Sequence, residues 1–413
     1  MADLFDKFSN MGALGKYQDK AHGYFSFPKL EGQLSNRMVF QGKERIVWSL
    51  NNYLGLGNHP DVRKADTEAA EQWGMAMPMG ARMMSGHTSV HEQLEKELAE
   101  FVSKDDAYLL NFGYQGMVSI VDSLLSRRDV VVYDAECHAC IIDGLRMSTA
   151  HRYVFKHNDI ADCEKQLKRA QEMTKQSGGG ILVITEGVYG MAGDQGKLKE
   201  LCTLKDTYNF RLLVDDAHGF GTLGETGAGA GEEQGCQDDI DVYFSTFAKS
   251  MASIGAFVAA DKNIVAYLRY NLRSQIFAKS LPMPITLGNL KRLEMLRTMP
   301  ELKNKLWENV NYLQKSLTEA GLDIGKTNSC VTPVYMHGGL NEATQLIVDM
   351  RENYNVFCSL VTYPVIPKGD ILLRLIPTSA HTFDDIDQTI VAFKAVKEKL
   401  DNKMYPDEFP AVV

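Results

Sequence analysis

Short apolar runs alternate with helical patterns between residues 46 and 285, and this alternation limits the possible folds more than any other feature of the chain. The clearest apolar runs lie at 107–111, 130–133, 181–185 and 212–214, and the clearest helical patterns lie at 91–102 and 160–176. Such alternation predicts crossover units and a mostly parallel sheet with helices on both faces. We therefore predict an α/β fold whose functional loops follow the carboxyl ends of the strands.

Two domains are expected behind an N-terminal arm, because 413 residues exceed what one small core organises. Residues 1–45 mix glycine, lysine and aromatic residues without sustained periodicity, so we expect an arm that packs on the body of the protein or on a partner subunit. A large domain is predicted at 46–285. A smaller α+β domain is predicted at 286–413, where a long helical pattern begins that is broken near Pro300.

A capped amphipathic helix is predicted near the end of the chain. Thr382 precedes Asp384 and Asp385, and apolar residues follow at helical spacing at 386, 390, 393 and 396. A threonine hydroxyl followed by acidic residues satisfies the first N–H groups of a helix. The helix is therefore predicted to begin directly after Thr382.

The composition limits the partners and the compartment. A formal net charge of -9 argues against a general nucleic-acid binder, because phosphate backbones require a basic surface. The seven cysteines are scattered and no secretory apolar segment precedes them, so we expect a reducing cytoplasm and no disulfide framework. No stretch approaches the roughly 18 uninterrupted apolar residues of a spanning helix. The protein is therefore not expected to cross a membrane.

Cys137 and Cys140 have the two-residue spacing of many metal-binding cysteines. A zinc site would need a second pair of ligands, and the other cysteines provide no such pair. We therefore expect these two residues to serve in packing, and we predict no metal site.

Two motifs about 30 residues apart point to one kind of chemistry. The segment YFSTFAKSMASIG at 243–255 places Lys249 between small hydroxyl residues just after an apolar run. The segment RLLVDDAH at 211–218 ends a buried-strand pattern in Asp215, Asp216 and His218. A lysine amine can form an imine with an aldehyde, and an acid can pair with a protonated pyridine nitrogen. Together the motifs predict a pyridoxal 5'-phosphate (PLP) enzyme, although a helix-capping turn would also explain the two acids.

With these motifs, the chain resembles the α-oxoamine synthases, PLP enzymes that join an amino acid to an acyl thioester with loss of carbon dioxide. The resemblance covers about residues 45–400. Its motifs, in chain order, are NNYLG at 51–55, GARMMSG at 80–86 with HEQLE at 91–95, DAECHACIIDG at 134–144, DDAH at 215–218, TFAK at 246–249, and LR at 373–374 with AHT at 380–382. The resemblance implies the PLP-dependent transferase fold of type I, like that of aspartate aminotransferase.

The resemblance also implies roles for individual residues in the cofactor site. Lys249 would bind the cofactor and then move protons at the substrate α-carbon. Asp215 would pair with the pyridine nitrogen and His218 with the ring oxygen. His138 matches the position that stacks on the ring, although a buried structural histidine is the alternative.

The phosphate is expected to bind where a strand leads into a helix. The backbone N–H groups of Gly113 and Tyr114, with the hydroxyl of Thr246, match that role, since helix N-termini favour anions. Relatives usually carry serine two positions after the threonine, but this chain has Ala248 there. Lys279, followed by Ser280, stands where relatives commonly place a small hydroxyl residue that reaches a neighbouring subunit's cofactor. Lys279 either supplies a replacement charge or is an ordinary surface lysine.

Arg374 is the best candidate for binding the substrate carboxylate, because a guanidinium matches a carboxylate with two parallel hydrogen bonds. Its apolar neighbours make it costly to bury without an anion, and an internal salt bridge is the alternative. Asn51 or Asn52 is expected to assist it.

The motifs do not decide by themselves which amino acid and which acyl chain the enzyme would use. A methionine-rich segment leads into Gly80 and would line a wide acyl channel, unless these methionines are core filler. Arg82, His87 and Lys279 would offer cations to an acidic side chain. The pattern looks most like the serine palmitoyltransferase-like enzymes of Bacteroidetes, including those of sulfonolipid synthesis. We therefore rank cysteate first, L-serine second and glycine third, the last as in glycine C-acyltransferases.

The family implies further partners and also leaves alternatives from other classes. A homodimer is expected, with an acyl-coenzyme A or acyl carrier protein as acyl donor. A lipid product suggests transient docking at the inner face of the cytoplasmic membrane by an otherwise cytoplasmic enzyme. The alternatives are a PLP aminotransferase or aldolase, and a non-catalytic partner subunit. Because such subunits lack the lysine, Lys249 argues against the last one.

Overall fold

The computed structural model describes residues 3–9, 15, 17–363 and 365–410. The chain forms two compact units. Unit 1 comprises Met1–Leu50, Glu308–Gly325 and Val331–Val413. Unit 2 comprises Asn51–Trp307 and Lys326–Cys330.

Fourteen strands are present in the described residues. In chain order they are β1 Leu30–Glu31, β2 Arg37–Phe40, β3 Lys43–Val47, β4 Asp106–Leu110, β5 Val130–Asp134, β6 His151–Phe155, β7 Ile181–Glu186, β8 Arg211–Asp215, β9 Val242–Thr246, β10 Ala256–Ala260, β11 Thr332–His337, β12 Val356–Phe357, β13 Ser359–Val361 and β14 Asp370–Leu375.

Unit 2 is built on a seven-stranded sheet in the order β4-β10-β9-β8-β7-β5-β6. All pairs from β9 to β6 are parallel, and β10 alone runs antiparallel to both of its neighbours, β4 and β9. Every residue of β7, β9 and β10 is buried, as expected of strands covered on both faces. The predicted α/β fold with a mostly parallel sheet is confirmed.

Helices alternate with these strands in unit 2. They are Pro60–Trp73, Ser89–Phe101, Gly113–Leu124, Ala139–Met147, Ile160–Ser177, Leu198–Thr203, Ala230–Glu233, Lys262–Asn271, Arg273–Ile276 and Met283–Thr298. Local sequence sets their ends. The Asp159 side chain accepts from the N–H of Asp162, and Gly178 ends the same helix at a left-handed φ of 71°. The helices predicted at 91–102 and 160–176 are therefore present with small shifts at their ends.

The helix Met283–Thr298 belongs to unit 2, whereas the sequence placed residues after 285 in the smaller domain. It packs against the helix Pro60–Trp73. Arg292 of the helix Met283–Thr298 donates to both carboxylate oxygens of Asp66 in the helix Pro60–Trp73, at 2.8 Å each. A buried guanidinium with such a partner ties the helix to this unit. Composition alone does not reveal this pairing.

Unit 1 contains two small sheets, in the orders β1-β2-β3-β12 and β11-β14-β13. Its helices include Gln18–Ala21, Leu340–Tyr354 and Phe383–Asp401, and the helix Pro300–Glu319 crosses the sequence boundary between the units. Strands β1, β2 and β3 lie within residues 30–47, most of which we predicted to be an arm. Strand β12 pairs in parallel with β3, with Val356 opposite Ile46. The Thr382 cap is present as predicted, with Asp385 completing a capping box.

No helix within the described ranges is both long and apolar enough to span a bilayer. All seven cysteines are buried as free thiols.

Candidate active site

Five strands of unit 2 end at the same edge of the sheet. Strands β5, β7, β8 and β9 are parallel, and β4 points the same way as β9 because both are antiparallel to β10. The residues at or just after these five ends include Gly113, His138, Glu186, Asp215 and Lys249. The predicted cofactor residues therefore share one edge, which is where α/β proteins bind ligands.

Asp215, the last residue of β8, is the buried acid of this edge. It is 5% exposed, and its oxygens lie 3.2 Å from the Ala217 nitrogen and 3.9 Å from the Cys140 sulfur. Burial raises the pKa of Asp215, and the charges of Lys249 and His138 only partly offset that effect. A cation placed beside this carboxylate would therefore be strongly favoured.

Asp216, the neighbouring acid, is used for structure. Its Oδ2 accepts hydrogen bonds from the Ala230 N–H and the Tyr243 hydroxyl, both at 2.9 Å. A Cβ at Gly229 would lie 1.8 Å from that oxygen, so glycine is required there. Burial raises the pKa of Asp216 to about 7. The two acids thus differ in role, and Asp215 is the one beside Lys249.

Lys249 lies in the loop that joins β9 to β10. The loop is closed by hydrogen bonds from the Phe247 N–H to the Gly255 oxygen and from the Ser253 N–H to the Phe247 oxygen, at 2.9 and 2.8 Å. The charge of Lys249 lowers the pKa of Asp215 and of His138. Lys249 is therefore a positive charge within electrostatic reach of both residues.

His138 begins the helix Ala139–Met147 as its N-cap residue. Its Nδ1 accepts from the Cys140 N–H at 3.3 Å and lies 2.9 Å from the Cys140 sulfur. Burial lowers the pKa of His138, Asp215 raises it and Lys249 lowers it further. The Tyr114 ring stands edge-on at 6.1 Å between centroids.

Glu186 is a residue of this edge that the sequence analysis missed. Its Oε1 accepts from the His138 N–H at 2.5 Å, and it pairs with Asp215 in the register of β7 and β8. Burial and the nearby Asp215 raise the pKa of Glu186 well above its usual value. An acid at the end of a buried strand is the same signal that singled out Asp215, so it was available in the sequence.

His218 is held by a second residue that was missed. The Tyr53 hydroxyl lies 2.7 Å from the His218 Nδ1, and Tyr53 is fully buried. A Cβ at Gly190 would come within 2.3 Å of the His218 Nε2, so the glycine lets the loop after β7 approach the ring. The NNYLG motif contained Tyr53, but nothing in the sequence pairs it with a histidine 165 residues away.

The predicted phosphate site combines a helix N-terminus with a hydroxyl group. The helix Gly113–Leu124 starts at Gly113, where a Cβ would lie 3.1 Å from the Thr246 Oγ1. The Thr246 hydroxyl donates to the Gly255 oxygen at 3.0 Å. Tyr114 is exposed, and its hydroxyl donates to Asp143. The exposed first turn suits an anion at this position, and Thr246 could join in binding it only by releasing the Gly255 oxygen.

Lys279 and Ser280 lie next to this site. The Asn111 side chain, two residues before Gly113, donates to the Lys279 backbone oxygen. The exposed Lys279 ammonium donates to the Met79 oxygen at 2.6 Å, and the buried Ser280 hydroxyl donates to the Gly80 oxygen at 3.1 Å. Both residues therefore tie the 277–281 segment to the methionine-rich segment.

The two asparagines of NNYLG differ in their contacts. The Asn52 Oδ1 accepts from the Gly57 N–H at 3.0 Å and so stabilises the turn. The Asn51 Oδ1 is buried without a hydrogen-bond partner among the described residues. Asn51 is therefore the better candidate for binding a ligand.

Arg82, which we expected to offer a cation to the substrate, is instead bound inside unit 2. Its guanidinium donates to both oxygens of the buried Glu95, at 2.9 and 3.0 Å, and its Nε donates to the His87 Nδ1 at 3.0 Å. His87 lies 2.8 Å from Glu92 on its other side. Glu95 therefore already neutralises the Arg82 charge, and a role of Arg82 and His87 toward the substrate stays a prediction.

Arg374 lies in β14 of unit 1, half-buried between the fully buried Leu373 and Leu375. It pairs with Pro333 of β11 and Ser359 of β13. Its predicted role as the carboxylate ligand stays a prediction.

The model of the aminotransferase class I and II family matches residues 43–393. A cysteate-C-fatty acyltransferase of Capnocytophaga ochracea is 62% identical over 98% of this chain and 97% of that protein. A serine palmitoyltransferase of Bacteroides ovatus is 36% identical over 90% of this chain and 94% of its own length. The chain is an α-oxoamine synthase of this family.

A solved serine palmitoyltransferase of S. paucimobilis, with PLP and myriocin bound, resembles this α-oxoamine synthase closely. The TM-score is 0.89 at 28% identity, over 97% of this chain and 100% of that chain. The predicted type I fold is confirmed.

The residues of the strand edge fit PLP. A buried carboxyl that needs a cation, a lysine beside it and a glycine-opened helix N-terminus correspond to the ring nitrogen, the aldehyde and the phosphate. PLP is the cofactor of this α-oxoamine synthase, as predicted. In the described part of the chain, no group of three or more His, Cys, Asp or Glu side chains could hold a metal ion.

Proposed function

We propose that the enzyme condenses L-cysteate with a long-chain fatty acyl thioester, with loss of carbon dioxide, to give a 3-keto amino sulfonate for sulfonolipid synthesis. The observation that carries this proposal is the 62% identity to a cysteate-C-fatty acyltransferase over nearly both full lengths. The edge that holds Asp215, His138 and Lys249 supports the same reaction type. L-serine is the second candidate, because serine palmitoyltransferases match at up to 36% identity among the relatives compared.

PLP, when bound, supplies an electron sink for the bonds at the substrate α-carbon. Lys249 is proposed to take the proton from that carbon and to return a proton once the new bond has formed. A positioned general base of this kind contributes about 10²–10⁴-fold to the rate. The pKa effects that Lys249 exerts on Asp215 and His138 support its position at the reacting centre.

Asp215 and His138 are proposed to orient the reacting groups. The buried Asp215 carboxylate would pair with the protonated pyridine nitrogen. This pairing would be favourable because burial disfavours an unpaired carboxylate at Asp215 and raises its pKa. His138 would contact the cofactor ring and donate from Nε2 to the substrate carboxylate. Asn51, whose Oδ1 is buried without a partner among the described residues, is proposed to contact the substrate, and His218, fixed by Tyr53, would donate to the ring oxygen. Arg374 stays the predicted ligand of the substrate carboxylate.

The sulfonate of cysteate needs a cation, and the chain offers fewer free cations than its sequence suggested. Arg82 is neutralised by Glu95, whereas the exposed Lys279 ammonium donates to the backbone oxygen of Met79. We therefore propose Lys279 as a cation for an anionic group, either the sulfonate or the cofactor phosphate near Asn111.

A homodimer is proposed from the family and from an exposed apolar surface on unit 2. Met75, Met79, Met83 and Met84 are 46–83% exposed, far more than isolated core filler would be. A second copy of the chain would cover them, and sedimentation of the holoenzyme tests this. A monomer at micromolar concentration would contradict the proposal.

Transient membrane contact is proposed for release of the lipid product. Leu4, Phe5 and Phe8 of unit 1 are 55–66% exposed and supply an apolar contact beside Lys7. Flotation with anionic phospholipid vesicles tests the contact, with a variant carrying serine at all three positions as control. Equal binding by both proteins would contradict it.

The experiment that tests the function is a spectral titration of the PLP-loaded enzyme with cysteate, serine, glycine and alanine, followed by mass analysis of products with a long-chain acyl-coenzyme A. We expect saturating absorbance changes, tightest for cysteate, and a 3-keto sulfonate product. A product retaining the serine hydroxymethyl group would make it a serine palmitoyltransferase. Exchange of amino groups without a new carbon–carbon bond would make it an aminotransferase.

A further inference from the structure

The ring of His138 is held at one nitrogen by a single residue, Cys140. The Nδ1 of His138 lies 3.3 Å from the Cys140 backbone nitrogen and 2.9 Å from the Cys140 sulfur. Because a backbone N–H can only donate, Nδ1 must accept. The proton of the neutral imidazole is then carried by Nε2.

The thiol of Cys140 reaches a second residue of the site. Its sulfur lies 3.9 Å from the Asp215 Oδ2, and Cys140 is 3% exposed. Burial raises the pKa of the Cys140 thiol, so its proton stays on sulfur and can be donated. One small side chain thus contacts both the histidine and the acid that the proposed reaction uses.

We propose that Cys140 is a positioning residue, whose N–H and thiol keep His138 Nδ1 as an acceptor and so present Nε2–H to the substrate carboxylate. The inference rests on the proposed function, because it assigns the form of His138 that this reaction would use. A flipped ring would lose the cap of the helix Ala139–Met147 as well as the thiol contact.

Several charged or titratable groups lie around His138, and together with burial they determine whether its pKa is raised or lowered. Asp215 favours a charged imidazole, whereas burial and Lys249 oppose it. The thiol also opposes protonation at Nδ1, because that proton would displace the donated hydrogen bond. The remaining groups are Tyr114, whose ring stands edge-on, and Glu186, which accepts from the backbone N–H.

The first test uses the PLP-free protein and needs no substrate. Histidine labelled with ¹⁵N gives the ring nitrogen shifts of His138 as a function of pH, with His138→Asn to assign the signals. We expect Nε2–H and an accepting Nδ1 in the unmodified protein. In Cys140→Ala the titration midpoint of His138 should rise by about half to one pH unit, because a shift of that size corresponds to the free energy of one lost hydrogen bond. Cys140→Ser should restore it.

Cys137→Ala is the matched control, because Cys137 is equally buried in the same turn and its sulfur faces the Ile184 oxygen at 3.8 Å. It should leave the His138 shifts unchanged. The second readout is kinetic: Cys140→Ala should raise KM for the amino acid about 2- to 10-fold, and serine should reverse the rise.

An Nδ1–H form in the unmodified protein would overturn the inference without any variant, so it stays testable even if Cys140→Ala folds poorly. Identical behaviour of Cys140→Ala and Cys140→Ser would also overturn it, since packing alone would then explain the residue. The nuclear magnetic resonance result is independent of turnover. An enzyme that makes no condensation product but shows the expected His138 shifts would therefore refute the proposed function alone.

Discussion

Two clusters of histidine and carboxylate lie on strand-end loops of unit 2, and their electrostatics are opposite. In the first cluster, His157 lies 2.9 Å from Asp134 and 2.9 Å from Asp194. Burial lowers the pKa of His157, but the two carboxylates outweigh burial and raise it to about 10. In the second cluster, burial prevails at both residues: it lowers the pKa of His138 and raises that of Asp215.

The difference shows which cluster is structural. Burial alone would raise the pKa of Asp134, but hydrogen bonds from His157 and from the N–H groups of Asn158 and Glu136 outweigh it. The chain thus compensates these charges itself. At Asp215 the chain compensates only in part, which is the property expected of a residue that pairs with a cationic group of a cofactor. The same residue types therefore stabilise the fold in one cluster and are proposed to serve chemistry in the other.

Loss of Lys249 should have the largest effect. Lys249→Ala is expected to reduce turnover by about 10³-fold or more, because it removes both the cofactor attachment and the proton carrier. Product mass analysis measures the loss. Lys262→Ala, an exposed lysine at the start of its helix, is the control and should retain full activity. Unchanged turnover in Lys249→Ala would refute the whole assignment.

Replacement of aspartate by asparagine should have different effects in the two clusters. Asp215→Asn should reduce kcat by about 10²–10³-fold at little cost in stability, since the anion it removes is disfavoured by burial. Asp134→Asn should instead lower the free energy of unfolding by about 1–3 kcal/mol, because His157 loses a charged partner. Denaturant unfolding and steady-state kinetics on both variants check the split. Equal losses of activity would remove the distinction.

The pH dependence of stability should also differ between the clusters. In the folded protein the pKa of His157 is about 10, above its usual 6.5. The stability that His157 contributes is therefore fully present below about pH 6.5 and is lost as the pH rises toward 10. The folded pKa of Asp215 is raised, so in the PLP-free protein stability falls as pH rises above its usual 3.8. Thermal melts of His157→Gln and Asp215→Asn across pH should flatten the respective slopes. A slope that survives its own variant would contradict the assignment.

The smallest predicted effect lies in unit 1. Thr382→Ala should destabilise the protein by about 1 kcal/mol, because the helix Phe383–Asp401 loses its N-cap hydrogen bond from the Asp385 N–H. Turnover per folded molecule should stay the same. Thr382→Ser is the control and should retain most of the stability.

Much of the fold was predictable because it depends on local patterns. The apolar runs gave β5, β7 and β8 within one or two residues, and Thr382 with its acids gave the last helix. The grouping of the predicted cofactor residues at one edge was predictable because parallel strands bring their carboxyl ends together, whatever the length of chain between them.

Contacts between distant residues were not predictable. Tyr53 and His218 are 165 residues apart, and no period or motif links them. The pairing of Arg82 with Glu95 was not foreseen, because a sequence does not show which nearby acid a guanidinium will bind, and Glu95 lies 13 residues later on a helix. The strands between residues 30 and 47 were missed because they have only 2, 4 and 5 residues, which is too short to establish a period.

The most direct test of the central claim is a competition assay, in which the PLP-loaded enzyme receives equal concentrations of L-cysteate and L-serine with one long-chain acyl-coenzyme A. The ratio of the two 3-keto products equals the ratio of the two kcat/KM values. We expect the sulfonate product to exceed the serine product at least tenfold, which corresponds to about 1.4 kcal/mol of discrimination. An excess of the serine product would contradict the proposed function.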